Sequence, residues 1–503
     1  MTAPAVPMPT PVVTTGSVRR PRTRRNVELA LLIFAMIVVA LYSASVEAGM
    51  IQKVTPDFWV PIGATFVIFL GMHFAIRWLA PYADPVLLPA VALINGLGVA
   101  FLRRLDLGAA AAAERADLSP FTGDSVRQLF WTAAAVVGAV VLLFLMRDHK
   151  SLSRYAYTLG LVGIVLVLIP AVLPARFSAI NGAKLWIKVG PEDDPFFSIQ
   201  PGEFAKICLL SFFAYYLVRK REVLSLAAKR IAGIDFPRAR DLGPVLVVWL
   251  VSLMVLIFEK DLGTSLLYFG MFVVTLYIAT ERVSWLIIGL LLFFGGAISA
   301  YFLGASIGGP FANFYDRANI WLDPFATADT TGYQLVQSLL GLGTGGMFGV
   351  GPGAGLPYLE DYDQYVLPAV HNDFVFAGLG EEIGLFGLTA LLAVYLLIVE
   401  RGLRAAITVR DSFGKLLTGG LSFTLGLQVF VIIGGISQLI PLTGQTTPFL
   451  SAGGSSLMAN WLLVAVLLRV SDAGRTPVTL GSGGGGVVAP PQKLAEIPTE
   501  VVR

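Results

Sequence analysis

Apolar runs of membrane-spanning length recur along most of this chain, separated by short polar breaks. A spanning helix needs about 17–25 such residues. Roughly twelve runs meet that need, near 27–46, 58–80, 85–103, 126–146, 155–174, 203–218, 243–258, 262–280, 283–303, 373–399, 416–437 and 455–470. The alternating short segments of a membrane barrel are absent. The pattern predicts an all-α polytopic membrane protein, a bundle of 10–12 transmembrane helices. Ten spans with two re-entrant segments would keep the same parity as twelve.

The pattern also divides the chain. Residues 1–26 and 471–503 are expected to be cytoplasmic, disordered tails around a transmembrane region at 27–470. Lys and Arg set the orientation, because they collect on the cytoplasmic side. Arg19, Arg20, Arg22, Arg24 and Arg25 precede the first run, and the 219–240 loop holds seven more basic residues. Both then fall inside, and so do Arg401, Arg404, Arg410 and Lys415. The loops 175–201, 259–261 and 441–455 and a large extracellular segment at about 304–372 fall outside. That last segment is too long for a simple connector.

Composition agrees with a membrane protein. Of 503 residues, 56% are apolar and 14% charged, against about a quarter charged in soluble domains. The net charge of +3 gives no case for nucleic acid. The single Cys208 excludes an internal disulfide and a cysteine metal site. The Gly-rich stretch 341–355 lacks the Lys-Ser/Thr ending of a phosphate loop.

Against this background the acids stand out. Asp373, Glu381 and Glu382 lie at the mouth of a long apolar run, beside His371. Acids at such depth persist where they face a water-filled cavity or pair with something. At a helix N-terminus, Asp373 is expected to be a depressed, ionised carboxylate. Such a group is a candidate base. On a straight helix Glu381 sits two turns deeper, roughly 80° round from Asp373, and Glu382 points nearly opposite. Glu381 is therefore expected nearer the cavity and Glu382 in a structural pair. Glu203 and Lys206 share a helix face at i, i+3. They form either an ion pair or a cationic contact for a phosphate-bearing ligand. Asp261 reads as a helix cap or a site acid. Trp186, beside Asn181, Lys184 and Lys188, reads as an interfacial anchor or a platform for a sugar ring.

The segments NGAKLWI (181–187), IQPGEFAKI (199–207), EKDLGTSLL (259–267), WLDPFATADTTGYQLVQSL (321–339), FVFAGLGEEIGLFG (374–387) and PLTGQTTPFLSAGGSSL (441–457) resemble the SEDS family, which includes RodA, FtsW and SpoVE. The resemblance covers about 120–470 in the family's order. It implies a SEDS-type helical bundle and a peptidoglycan glycosyltransferase polymerising lipid II at the outer face of the cytoplasmic membrane. Asp373 matches the family's essential aspartate, and Glu203, Lys206, Trp186 and Asp261 match further motif positions. The implied reaction is inverting. Asp373 takes the proton from an attacking 4-hydroxyl, and Lys206 or a divalent cation (Mg or Mn) on Asp373 meets the departing pyrophosphate. The implied partners are a class B penicillin-binding protein, lipid II and membrane lipids. Asn372 and Ala452 replace a usual Thr and Tyr. The extra runs near 58–103, and the absence of a lysine at 441–444, favour an actinobacterial RodA-like elongation enzyme. A septal FtsW-like polymerase and a lipid II flippase are the alternatives.

Overall fold

The computed structural model describes residues 23–55, 58–112, 123–180, 183–190, 197–225, 229–231, 234–236, 243, 247, 249–251, 254, 261–359 and 364–477. Residues 23–475 form one unit, and of the other, built from the two chain ends, only 476 and 477 are described. Ten described helices are long and apolar enough to cross a membrane. They are α1 (Arg25–Ile51), α2 (Trp59–Leu79), α3 (Leu87–Ala112), α4 (Asp124–Leu145), α6 (Pro201–Ser225), α7 (Leu262–Thr280), α8 (Ser284–Ser306), α11 (Val375–Thr408), α12 (Ser412–Ile436) and α13 (Gly454–Arg475). Helix α5 (Ala156–Val172) is apolar but shorter. Most of the predicted run at 243–258 lies outside the described residues. Helix α13 runs on to Arg475, past the predicted start of the C-terminal tail at 471, with Ser471 buried and Arg475 paired with Asp84.

Burial sorts these helices. The most apolar stretch of α3 is 89% buried and that of α8 only 6%. Helices α3, α12 and α13 are thus central, and α8 is a rim helix with its Leu and Phe side chains exposed. At the centre Trp461 of α13 is fully buried, stacks on Phe69 and donates Nε1–H to Asn95 Oδ1. A buried indole needs such a partner.

The long 304–372 segment is structured. It carries α9 (Ala312–Leu322), α10 (Tyr333–Gly345) and the two-stranded hairpin β7 (Tyr358–Leu359) with β8 (Gln364–Tyr365). Three further antiparallel pairs join β1 (Ala179–Ile180) to β2 (Ala183–Lys184), β3 (Ile187–Val189) to β4 (Phe197–Ile199) and β5 (Lys229–Ile231) to β6 (Ile234–Phe236).

Helix α11 is not straight. Gly384 has φ 65° and ψ −175° inside it. The Gly-rich stretch is spliced into that break. Val350 N and Gly351 N donate to Glu381 O and Glu382 O, and Leu385 N and Phe386 N donate to Gly346 O and Met347 O. Backbone groups at membrane depth must be paired, and the loop supplies the bonds the helix gives up. A Cβ on Gly384 would lie 2.2 Å from Gly349 N, so only glycine lets the two backbones meet.

Candidate functional site

The Asp373 turn comes before α11, not inside it. Phe374 is the helix N-cap, and no acid occupies the first turn. The turn closes through Asn372 N and Phe374 N to Ala369 O, with Ala369 at φ 53°. It is strapped to the 451–453 loop by Ala452 N donating to His371 O and by the Ser451 hydroxyl donating to Asn372 O. The 451–453 loop thereby sets where Asp373 stands.

The loop between α12 and α13 is the hub of the site. Its Leu442 O accepts from Arg317 Nη1 of α9 at 2.7 Å. Gly444 follows at φ 71°. A Cβ there would stand 3.4 Å from both Arg317 terminal nitrogens and 3.8 Å from Asp373 Oδ2. Arg317 and Asp373 thus converge on one small volume. Gln445 Nε2 donates to Asp261 Oδ1 at 3.3 Å and to Thr264 Oγ1 at 2.9 Å. Further along, Gln428 donates to Thr446 O, Tyr395 to Pro448 O, Asn95 to Phe449 O and Gln128 to Ser451 O. Non-helical backbone survives at membrane depth when it is held this way or lines a cavity.

Asp261 caps α7. Its Oδ1 accepts Thr264 N at 2.9 Å, satisfying an orphan helix donor. Its Oδ2 is buried and, among the described residues, has no hydrogen-bond partner. Asp261 also lines a cleft with Leu166 and Pro170 of α5, Leu185, Gln200 and Gly202.

The electrostatics correct one expectation. Asp373 is not depressed. Burial pushes its carboxyl up to about 6, Arg317 pulls it down, and Asp261 adds to the rise. The physical reason is burial: the carboxyl sits in the turn before the helix among packed protein. It still keeps part of its surface exposed. Burial likewise raises Asp261, and lowers Arg317 against the two acids. An arginine keeps its charge through such a shift.

The remaining predicted residues are placed as follows. Lys206 is buried, and its ammonium donates to Glu203 Oε2, Gln428 Oε1 and Asn460 Oδ1 at 2.8, 3.1 and 3.3 Å. Three donors meet three acceptors, which ties α6 to α12 and α13. Glu203 is buried and acts electrostatically on Asp261. Trp186 is half-buried and donates its backbone N–H to Ser178 O. Asn181 lies outside the described residues. Glu381 is half-buried and packs its carboxylate against Gly341 and Gly355. Glu382 pairs with Arg104 and accepts from the Tyr42 hydroxyl. Among the described residues no three His, Cys, Asp or Glu side chains cluster as a cation site. The fixed positive charge facing Asp373 is Arg317.

Sequence reasoning missed Arg317, Gln445 and Gly444. For Arg317 a signal existed: it is a cation in the 304–372 segment, which the sequence reading expected on the face where the positive-inside bias depletes cations.

Comparison with known proteins gives four matches. The family model FTSW_RODA_SPOVE, described as cell cycle protein, matches residues 85–476. A peptidoglycan glycosyltransferase RodA from Mycobacterium tuberculosis is 47% identical over 457 residues, covering 91% of this chain and 92% of its own. The protein of the same name from Mycobacterium leprae is 46% identical over 459 residues, covering 91% and 92%. A chain in a solved structure described as structural coordination of polymerization and crosslinking by a peptidoglycan synthase complex is similar at TM-score 0.57 and 25% identity. It covers 77% of this chain and 97% of its own length.

Proposed function

The chain belongs to the FtsW, RodA and SpoVE family of cell cycle proteins, and on that premise we propose that it polymerises lipid II into glycan strands as a RodA-type peptidoglycan glycosyltransferase. One observation carries the chemistry. A partly exposed carboxylate tuned to about 6 shares a small volume with a fixed guanidinium. The Asp373 end of the bundle faces outward and both termini face the cytoplasm, as the arginine-rich segments require.

In the reaction Asp373 accepts the proton of the attacking 4-hydroxyl. The hydroxyl oxygen bonds to C1 of the second lipid-linked sugar with inversion, and the bond from C1 to the undecaprenyl pyrophosphate oxygen breaks. A base serves best when its pKa lies near the working pH. At pH 7 a carboxyl at about 6 is about nine-tenths ionised. Negative charge then grows on the departing pyrophosphate, and preorganised cations stabilise such charge. Arg317 is the group placed to do so. Lys206, with its donors engaged, is a positioning residue for the helices that carry the 442–453 loop. The cleft beside Asp261, about 210 Å³ counting its open mouth and with Trp186 next in sequence to its Leu185 wall, is where we propose that part of a lipid-linked sugar enters. A divalent cation would have Asp373, Asp261 and the substrate pyrophosphate as oxygen donors and would add positive charge there.

A class B penicillin-binding protein is the proposed partner. Its support is the similar chain's setting in a complex that couples polymerization to crosslinking. The test is polymerisation of purified lipid II by the full chain with that partner. Asp373→Ala should yield no glycan strands, and full activity would overturn the assignment of the base.

A further inference from the structure

A second groove lies between α1, α2 and α3, away from Asp373. It sits toward the bundle end where the Tyr365 hydroxyl donates to Leu105 O of α3. Val39 and Val46 of α1, Phe58 and Ile62 beside and within α2, and Val99 of α3 give it apolar walls. It is a narrow trough, about 380 Å³ counting its open mouth. Helices α1 and α2 both precede the region matched by the family model.

Glu47 and Arg103 also line this groove, and both are buried. Their hydrogen bonding is lopsided. Glu47 Oε2 accepts from Thr55 N at 2.8 Å and from Thr55 Oγ1 at 3.0 Å. Among the described residues Arg103 makes one loose ion contact, Nη2 to Glu47 Oε1 at 3.9 Å, and its buried Nε has no hydrogen-bond partner. A guanidinium carries five N–H donors, and leaving a buried charge under-paired is costly. The unused capacity of the groove is therefore donor capacity at the end of an apolar trough. It fits an acceptor-rich anion joined to a hydrocarbon chain.

We propose that this groove binds one anionic phospholipid from the surrounding bilayer, with an acyl chain along Val39, Val46 and Ile62 and the phosphate on Arg103. The guanidinium then lies between two anions, Glu47 and the phosphate. The next residue, Arg104, holds Glu382 and Gly355 O. A lipid bracing this end of α3 therefore steadies the helix that clamps α11.

Native mass spectrometry of the full chain released from nanodiscs of mixed phosphatidylglycerol and phosphatidylcholine tests this. The wild type should retain one phosphatidylglycerol in preference to phosphatidylcholine. Arg103→Gln should lower that retention about tenfold, the scale of one charge-assisted contact. Ile62→Trp, which fills the trough and leaves the arginine, should lower it as well. Arg103→Lys should restore part of it, and Arg77→Gln, on the exposed face of α2, should change nothing. Equal retention of the two lipids, or unchanged retention in both Arg103→Gln and Ile62→Trp, would overturn the proposal. Displacement of the lipid by inorganic phosphate alone would overturn the acyl-chain half. If Arg103→Gln fails to fold, Ile62→Trp decides.

Discussion

Glu203 with Lys206, and Asp373 with Arg317 and Asp261, are neighbouring polar clusters in one apolar bundle, and they spend their hydrogen bonds differently. In the first, each ammonium donor of Lys206 has an acceptor. In the second, Asp261 Oδ2 is orphaned among the described residues, and Arg317 faces Asp373 across Gly444 with its Nη1 engaged by a backbone carbonyl. A closed network rigidifies, and its members are unavailable to a ligand. An open one holds strain that a substrate can relieve. The closed cluster is therefore scaffold and the open one is where chemistry occurs, although both carry motif residues.

Substitutions can break this contrast, taken here from the largest expected effect down. Asp373→Asn should lower the polymerisation rate by ~10²–10⁴, the usual worth of a general base, and glycan-strand assays measure it. Lys206→Met should act on stability instead. It leaves Glu203 buried without its cation, at ~3–5 kcal/mol, read as a fall in melting temperature in detergent. Adding Glu203→Gln should recover most of that loss, since the pair goes together. If the double variant is stable yet inactive with normal lipid II binding, Lys206 belongs with the chemistry and the contrast fails. Arg317→Gln should cost ~10²–10³ in rate with little change in melting.

The smallest effect concerns Asp373 and stability. Its folded pKa is raised from 3.8 to about 6. The folded state then binds more protons than the unfolded state between those values. Stability falls as pH rises through that window, and the penalty is fully present above it. Asp373→Asn should remove the penalty and gain ~1–2 kcal/mol at pH 7, discounted for the carboxyl's partial exposure. Melting curves at pH 4 and pH 7 should show the gain only at the higher pH.

Much of this architecture was legible because bilayer physics writes it into local composition. The apolar runs marked ten of the observed spanning helices, and the acids at 373–382 marked one end of the site. What stayed hidden depends on contacts between distant segments. The break at Gly384 was invisible because Gly384 is one of several glycines, and only its pairing with Gly346–Gly351 distinguishes it. Arg317 lies in an ordinary polar stretch, four residues before the quoted family segment begins. Its role arises when the 442–445 loop brings it to Asp373. Sequence spacing offers Lys206 only Glu203, because its second and third acceptors, Gln428 of α12 and Asn460 of α13, are more than two hundred residues away. Asp373 was expected to be depressed because the helix start was assumed two residues too early, at 373 rather than Val375.

The central claim is that Asp373 is a base whose pKa is set by burial and restrained by Arg317. The pH dependence of kcat/KM for lipid II polymerisation tests it in the wild type and in Arg317→Gln. The wild-type rate should fall as pH drops through about 6, and in Arg317→Gln the inflection should move to higher pH, because the charge favouring the ionised carboxylate is gone. An inflection that stays in place without Arg317, or a wild-type profile with none between pH 5 and 8, would contradict the account.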